Sequence, residues 1–156
     1  MGKKNLHIST IALPNEILLK EVKKLIGEGH DVTLRVRGIS MRPFLEDRRD
    51  KIVLTEVEEL KKGDAVLAEI APGKYVYHRI VAIEGDRVTL RGDGNVRGTE
   101  ECRLGHVAAS TLAFIRRGKR YTPQGRAWRY YSALWPSWPF ARRVLLKLYR
   151  VFRCYR

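Results

Sequence analysis

Cysteine is scarce in this chain of 156 residues, which contains only Cys102 and Cys154. Two cysteines so far apart in sequence do not form the framework of a disulfide-rich fold, and they share no metal-ligand spacing with the four histidines. We therefore expect a reducing compartment, no metal site and no cofactor.

Long hydrophobic runs are also missing. No run of about 18 apolar residues occurs, and the first residues lack the apolar stretch of a secretory signal. These absences predict no transmembrane helix and no secretion. We expect a cytoplasmic protein, and a peripheral position at the inner membrane surface is compatible with the charge pattern of the tail.

Acidic residues are absent from the last third of the chain. Residues 1–101 hold 18 Lys and Arg against all 17 Asp and Glu, whereas residues 102–156 hold 13 Lys and Arg and no acid. The formal net charge of +14 is thus concentrated in the C-terminal part. Such a segment predicts an anionic partner.

The C-terminal residues combine this charge with aromatic and apolar periodicity. From Phe140 onward, helical spacing places Val144, Leu148, Val151 and Phe152 on one face, together with Tyr155. The surface predicted to meet a membrane or a partner protein consists of Trp128, Trp135, Trp138, Arg142, Arg143, Lys147, Arg150 and Arg153. Two alternatives stay open, namely docking of the apolar face on the rest of the protein and, less favoured, nucleic-acid binding.

The order of predicted elements favours three regions. Residues 1–31 contain an amphipathic helix that opens at Pro14 and closes at Gly27 and Gly29. Residues 32–120 carry short apolar segments separated by Gly and Asp turns, which is typical of a mainly β (α+β) fold, partly open and barrel-like. Residues 121–156 form the basic helical tail.

A serine lies in a glycine-preceded turn, Gly38-Ile39-Ser40-Met41-Arg42-Pro43. Glycine permits a positive φ angle and proline fixes the exit of the turn, so the motif alone is compatible with ordinary turn chemistry. Its interest comes from the residues that follow it in the chain.

A histidine and an aspartate follow on two predicted neighbouring strands. Residues 75–83 read as a half-buried strand that includes His78, and residues 87–91 read as a second strand that ends at Asp93. The turn between them is Glu84-Gly85-Asp86. Asp93 could therefore reach His78, although a core histidine and a turn aspartate are the ordinary structural alternatives.

Four segments of the chain occur in a characteristic order. They are Gly38-Ile39-Ser40-Met41-Arg42-Pro43, Gly63-Asp64-Ala65-Val66, Tyr77-His78-Arg79-Ile80 and Arg91-Gly92-Asp93-Gly94-Asn95. Over roughly residues 32–115 they resemble the successive motifs of the signal peptidase I and LexA-like serine peptidase superfamily. Because His78 stands where bacterial signal peptidases and LexA carry a lysine, the chain is most similar to the branch with a histidine general base.

The resemblance implies a signal-peptidase/LexA-type fold and a serine endopeptidase that processes a leader or signal-like peptide of a preprotein. It implies catalytic roles for Ser40 as the nucleophile, His78 as the base and Asp93 as the acid that orients the imidazole. The Ser40 amide, in the turn that Gly38 begins, would form the oxyanion hole.

One departure from the related sequences concerns the acid. Relatives with the histidine base commonly carry a second aspartate after the Gly-Asp motif, where this chain has Glu100 and Glu101, so these two residues are alternative acids. The alternative function is a non-catalytic adaptor or peptide-binding module with the same fold.

Overall fold

The computed structural model describes residues 5–7, 15–135 and 138–154. The helices are α1 (Asn15–Gly27), α2 (Arg126–Leu134) and α3 (Pro139–Cys154). The strands are β1 (Asn5–His7), β2 (Asp31–Arg35), β3 (Lys51–Thr55), β4 (Ala65–Ala71), β5 (Lys74–Glu84), β6 (Arg87–Arg91), β7 (Glu100–Arg103), β8 (Val107–Arg116) and β9 (Lys119–Tyr121).

One sheet contains all the strands in the described part of the chain. Its order is β1-β2-β3-β8-β4-β5-β6-β7, and β9 pairs with β8. The β1–β2 pair is parallel and every other pair is antiparallel. The sheet curls into a half-barrel, which confirms the predicted mainly β class.

The predicted strand pair around the histidine is confirmed. Strands β5 and β6 form a hairpin, and their register opposes Ile80 to Leu90. A bulge beyond Ile80 shifts this register toward the turn. Because side chains alternate across a strand, His78 and Arg79 face opposite sides of the sheet, and both are buried.

The predicted N-terminal helix is also confirmed as α1. Its Val22 and Ile26, four residues apart, lie in the main hydrophobic core with Val32 of β2. The side chains of residues 15–18 lie outside the described part of the chain. Within that part, none of the helices is both long enough and apolar enough to span a bilayer.

Helix α2 completes the core of the β region. Trp128 is buried, its ring stacks on Phe114 of β8 at 4.5 Å between centroids, and it meets the edge of Phe44 at 4.8 Å. The prediction of Trp128 as a surface residue was wrong. An amphipathic pattern indicates that one face of a helix is buried, but it does not show whether that face is buried in a protein core or in a lipid surface.

Asp50 is a fully buried carboxylate just before β3. Burial alone would raise its pKa, but hydrogen bonds from Arg49 and from the amides of Glu46 and Arg117 hold the pKa of Asp50 below its ordinary value of 3.8. A carboxylate with a depressed pKa stabilises the fold above its unfolded pKa. That contribution is lost as the pH falls through the folded pKa.

We therefore expect the free energy of unfolding to fall steeply between about pH 5 and pH 2. Asp50→Asn should lower stability at neutral pH and make this fall shallower, because the variant has no carboxylate to protonate at that position. Urea unfolding at several pH values measures both effects. The control Glu58→Gln, which removes an exposed carboxylate, should keep the wild-type slope, and equal slopes for Asp50→Asn and wild type would contradict the prediction.

Candidate active site

The turn that carries Ser40 is fixed at both ends. Gly38 has φ +85°, a conformation that L side chains rarely adopt, and its amide donates a hydrogen bond to Asp47 Oδ1 at 2.8 Å. After Ser40, the guanidinium Nε of Arg42 donates to Glu46 Oε1 at 2.8 Å. These contacts hold the Ser40 backbone in one position on the β region.

The Ser40 turn packs directly on the turn between β6 and β7. The amide of Gly94 donates a hydrogen bond to the Ser40 carbonyl oxygen at 2.7 Å, and a Cβ on Gly94 would collide with the Ile39 carbonyl oxygen. A Cβ on Gly92 would lie 2.5 Å from the Ser40 carbonyl oxygen and 3.0 Å from His78 Nε2. The two glycines therefore allow the serine turn and the histidine to approach each other.

His78 lies buried between a carboxylate and the Ser40 turn. Its Nδ1 is 3.0 Å from Glu100 Oε2, and Glu100 begins β7 next to β6. Its Nε2 faces the gap above Gly92, on the side of the Ser40 carbonyl. A carboxylate on Nδ1 favours the tautomer with the proton on Nδ1, which leaves Nε2 able to accept a hydrogen bond.

No hydrogen bond joins the Ser40 hydroxyl to His78 among the described residues. The two residues are nevertheless neighbours, because Ser40 O and His78 Nε2 are each within 3.0 Å of one point above Gly92. Catalytic hydrogen bonds in unliganded structures are often long and form fully only with substrate bound. The arrangement is thus compatible with a nucleophile and its base.

Asp93 does not contact His78 Nδ1, and this corrects the role that the resemblance implied for it. Asp93 is fully buried and accepts hydrogen bonds from Arg79 Nε at 2.8 Å and Nη2 at 2.7 Å, and from Tyr131 Oη at 2.8 Å. Its carboxylate lies with Arg79 on the face of β5 opposite His78. The alternative acid Glu100 takes the position beside the imidazole.

The Arg79–Asp93 pair is a buried structural ion pair that sequence reasoning missed. The Arg79 guanidinium lies 4.3 Å from the Trp128 ring centroid. Burial alone would lower the pKa of Arg79, but the hydrogen bonds and charge of Asp93 keep that pKa above its usual value. Burial and the neighbouring Asp93 charge both raise the pKa of Tyr131, so its hydroxyl stays a donor.

Helix α3 supports the turn between β6 and β7. The buried Arg142 donates from Nη1 to the carbonyl oxygens of Gly92 at 3.1 Å and of Asp93 and Asn95 at 3.3 Å. Burial lowers the pKa of Arg142. Trp135 is half-buried, and its Nε1 donates to the Asp93 carbonyl oxygen at 3.2 Å. The prediction of Arg142 as a surface residue was therefore wrong.

The same helix is linked to the Ser40 turn through Glu46. Tyr149 Oη donates to Glu46 Oε2 at 2.7 Å, and Glu46 holds Arg42 through its second oxygen. Sequence reasoning missed Tyr149 and Glu46, because their positions 103 residues apart give no local signal. Helix α3 thus contacts the β6–β7 turn directly through Arg142, and Tyr149 connects it to Arg42 of the Ser40 turn through Glu46.

The remaining predicted site residues lie elsewhere. Glu101 is exposed, since it follows Glu100 on β7 and faces the opposite side. Trp138, Arg143, Lys147 and Arg150 are exposed on or beside α3, as predicted for a surface. The side chain of Arg153 and residue Tyr155 lie outside the described residues. Within those residues, no three His, Cys, Asp or Glu side chains are grouped in a way that could hold a metal.

No family model and no curated protein matches this chain. Its chemistry must therefore be inferred from the residues of the site. Those residues are a serine in a fixed turn, a buried histidine beside it and a carboxylate on the far nitrogen of that histidine.

Proposed function

We propose that this protein is a serine peptidase of the signal-peptidase/LexA type, with Ser40 as the nucleophile, His78 as the general base and Glu100 as the acid that orients His78. The observation that carries the proposal is the position of His78. Its Nδ1 meets the Glu100 carboxylate at 3.0 Å, while its Nε2 faces the Ser40 turn.

The proposed reaction is acyl transfer. Ser40 Oγ attacks the carbonyl carbon of a peptide bond while His78 Nε2 accepts the hydroxyl proton. The tetrahedral intermediate collapses, the C–N bond breaks, and His78 returns the proton to the leaving amine. A water molecule then attacks the acyl-Ser40 ester with the same help from His78, which releases the acid product and restores the Ser40 hydroxyl.

Glu100 acts on this reaction through His78. Its negative charge stabilises the imidazolium that forms when His78 accepts the proton, and the contact fixes the ring orientation. The Ser40 amide is the oxyanion donor in the proposal, and Gly38 provides no side-chain hydroxyl for a second donor.

The proposed fold type is supported by where the four resembling segments lie. The segment 63–66 leads into β4, where Val66 is the register partner of His78 on β5. The segment 91–95 forms the turn on which Ser40 packs. All four segments therefore meet around His78, as a shared active site would require. The proposed substrate is a leader or signal-like peptide of a preprotein.

The proposal is tested by mapping a covalent adduct. The full chain is treated with a fluorophosphonate, which reacts with activated serines, and the modified residue is identified by tandem mass spectrometry. We expect the adduct on Ser40. An adduct on another serine, or no adduct under conditions that label a known serine peptidase, would contradict it.

Gly92→Ala should slow this labelling. Its Cβ would lie 2.5 Å from the Ser40 carbonyl oxygen, so the serine turn must shift, and a misplacement of about 1 Å can cost on the order of 100-fold in rate. The matched control is Gly105→Ala, because nothing lies within 4 Å of a Cβ at that position. Labelling rates by gel fluorescence measure the effect, and equal rates for both variants would refute the close packing of the two turns.

The missing hydrogen bond between Ser40 and His78 favours a second candidate, a non-catalytic peptide-binding module. In that case peptides bind beside Ser40 and His78 but are not cleaved, and no serine is labelled. Fluorescence anisotropy with labelled peptides, followed by mass analysis of the same mixtures, separates the two functions, because only the peptidase yields shortened products.

A further inference from the structure

Helix α3 attaches to the rest of the protein by one narrow stripe. Arg142 and Leu146 are buried, and Tyr149 donates its hydroxyl hydrogen to Glu46. These residues follow the spacing i, i+4, i+7, so they share one face of the helix. The docking stripe is thus mainly polar, and most apolar residues of α3 do not take part in it.

The apolar residues of α3 form a second, exposed stripe. Six side chains between 41% and 78% exposed make up this apolar face, namely Phe140, Val144, Leu145, Leu148, Val151 and Phe152. Just before the helix, Trp138 is 78% exposed. Large exposed apolar patches of this kind mark interaction sites rather than ordinary protein surface.

A third stripe of α3 is cationic. Arg143, Lys147 and Arg150 are exposed and lie on one flank, between the docking stripe and the apolar face. No acidic residue occurs anywhere in residues 102–156 to neutralise them. A binding partner that matches both exposed stripes of α3 therefore has an apolar interior and a negatively charged boundary.

We propose that the apolar face of α3 docks on an anionic lipid bilayer, with the helix lying in the plane of the interface. Amphipathic helices bind membranes in this way, with the apolar side chains below the headgroups and the cations at headgroup level. Each Lys or Arg adds attraction to anionic headgroups. Trp138 is exposed next to the first residue of α3, and indole rings favour the membrane–water interface.

Charge argues against two other occupants. A second copy docked through the same face would bring two cationic stripes together in a protein of net charge +14, without acids in this segment to pair them. Nucleic acid would engage the cations but leave the aliphatic side chains of Val144, Leu148 and Val151 exposed. A bilayer covers the apolar face and neutralises the cations at once.

Docking of α3 on a bilayer does not depend on the proposed peptidase activity, but it would affect where that activity takes place. Because Arg142 contacts the β6–β7 turn and Tyr149 contacts Glu46, which holds Arg42 of the Ser40 turn, a membrane-bound α3 would hold the candidate active site near the lipid surface. A peptide emerging from or lying on the bilayer would then be the natural substrate.

The test is co-sedimentation of the full chain with vesicles of phosphatidylcholine and phosphatidylglycerol, and with vesicles of phosphatidylcholine alone. We expect binding to the anionic vesicles that weakens with added salt. The triple variant Phe140→Ser, Leu148→Ser, Phe152→Ser should bind at least about tenfold more weakly, because it removes large apolar side chains from the face. These side chains are exposed, so its urea unfolding midpoint should match wild type.

The charge contribution has a matched control. The variant Arg143→Gln, Lys147→Gln, Arg150→Gln should lose at least about tenfold in binding to anionic vesicles. The control Arg117→Gln, Lys119→Gln, Arg120→Gln makes the same charge change in the exposed β8–β9 hairpin and should retain most of the binding.

Three outcomes would overturn the proposal. The first is absence of binding of the wild type to anionic vesicles, and the second is undiminished binding of the serine triple variant. The third is a wild-type protein that does not bind vesicles but forms a dimer in light scattering, where the dimer is abolished in the serine triple variant. Labelling of Ser40 is measured separately on the same proteins without lipid, so failure of docking and failure of the peptidase proposal are distinguishable.

Discussion

His78→Ala is expected to slow fluorophosphonate labelling of Ser40 by about 10²–10⁴-fold, the usual contribution of a general base. The reason is that, in the proposed mechanism, the hydroxyl proton of Ser40 passes to Nε2, which faces the Ser40 turn. Labelling rate constants, measured with the fold checked by circular dichroism, test this expectation. Wild-type rates in the variant would exclude His78 as the base.

The role of Glu100 can be tested in the same assay with its neighbour as the control. Glu100→Gln should slow labelling by about 10-fold or more, because an amide does not stabilise the imidazolium and can hold the wrong tautomer. Glu101→Gln removes an adjacent exposed carboxylate of the same size and charge, so it should label at the wild-type rate. Equal slowing by the two variants would indicate a general charge effect rather than the 3.0 Å contact to His78.

Asp93→Asn is expected to destabilise the fold by about 3–5 kcal/mol, because it leaves the buried Arg79 guanidinium without its counter-charge. The same carboxylate accepts the Tyr131 hydroxyl, and its turn is held by Arg142, so the loss also loosens α2 and α3. Urea denaturation measures the free energy of unfolding, and a change below about 1 kcal/mol would contradict the buried pair.

Two further variants keep this prediction testable if Asp93→Asn fails to fold. Asp86→Asn breaks an exposed ion pair with Arg103 and should change stability by less than about 1 kcal/mol. Tyr131→Phe removes only one hydrogen bond to Asp93 and should cost about 1 kcal/mol. A Tyr131→Phe cost no larger than that of Asp86→Asn would show that the network around Asp93 is weak.

Together these variants distinguish the role of Glu100 from the role of Asp93, because one affects the labelling rate and the other affects the free energy of unfolding. Glu100→Gln should change the rate at wild-type stability, whereas Asp93→Asn should change stability. If Asp93 were the acid that orients His78, Tyr131→Phe would alter the rate of labelling and Glu100→Gln would not.

Much of the local structure was predictable from the sequence because its signals are local. The α1 helix followed from apolar spacing around Val22 and Ile26, and the β5–β6 hairpin followed from two apolar runs around Glu84-Gly85-Asp86. The candidate nucleophile and base were predictable as Ser40 and His78, since each lies in a motif only a few residues long.

The assignment of the carboxylates was less predictable. Because side chains alternate along a strand, His78 and Arg79 are predicted to face opposite sides of the sheet. This alternation does not predict on which side of the sheet Asp93 lies, because Asp93 follows the end of β6. The packing of α2 places Tyr131 and Trp128 beside Arg79, and Asp93 pairs with Arg79 and Tyr131 instead of with the imidazole. The β6–β7 pairing then brought Glu100 within reach of His78.

By itself, the sequence determined the mainly β class, the N-terminal helix and the charge asymmetry, and it indicated Ser40 and His78 as the two candidate site residues. These depend on residue type and on spacing over one or two elements. The tertiary structure decided which carboxylate contacts His78, that Trp128 belongs to the core, and that α3 docks through Arg142, Leu146 and Tyr149 with its apolar face exposed. Those outcomes depend on contacts between residues that are far apart in sequence, and such contacts form only when distant parts of the chain pack together.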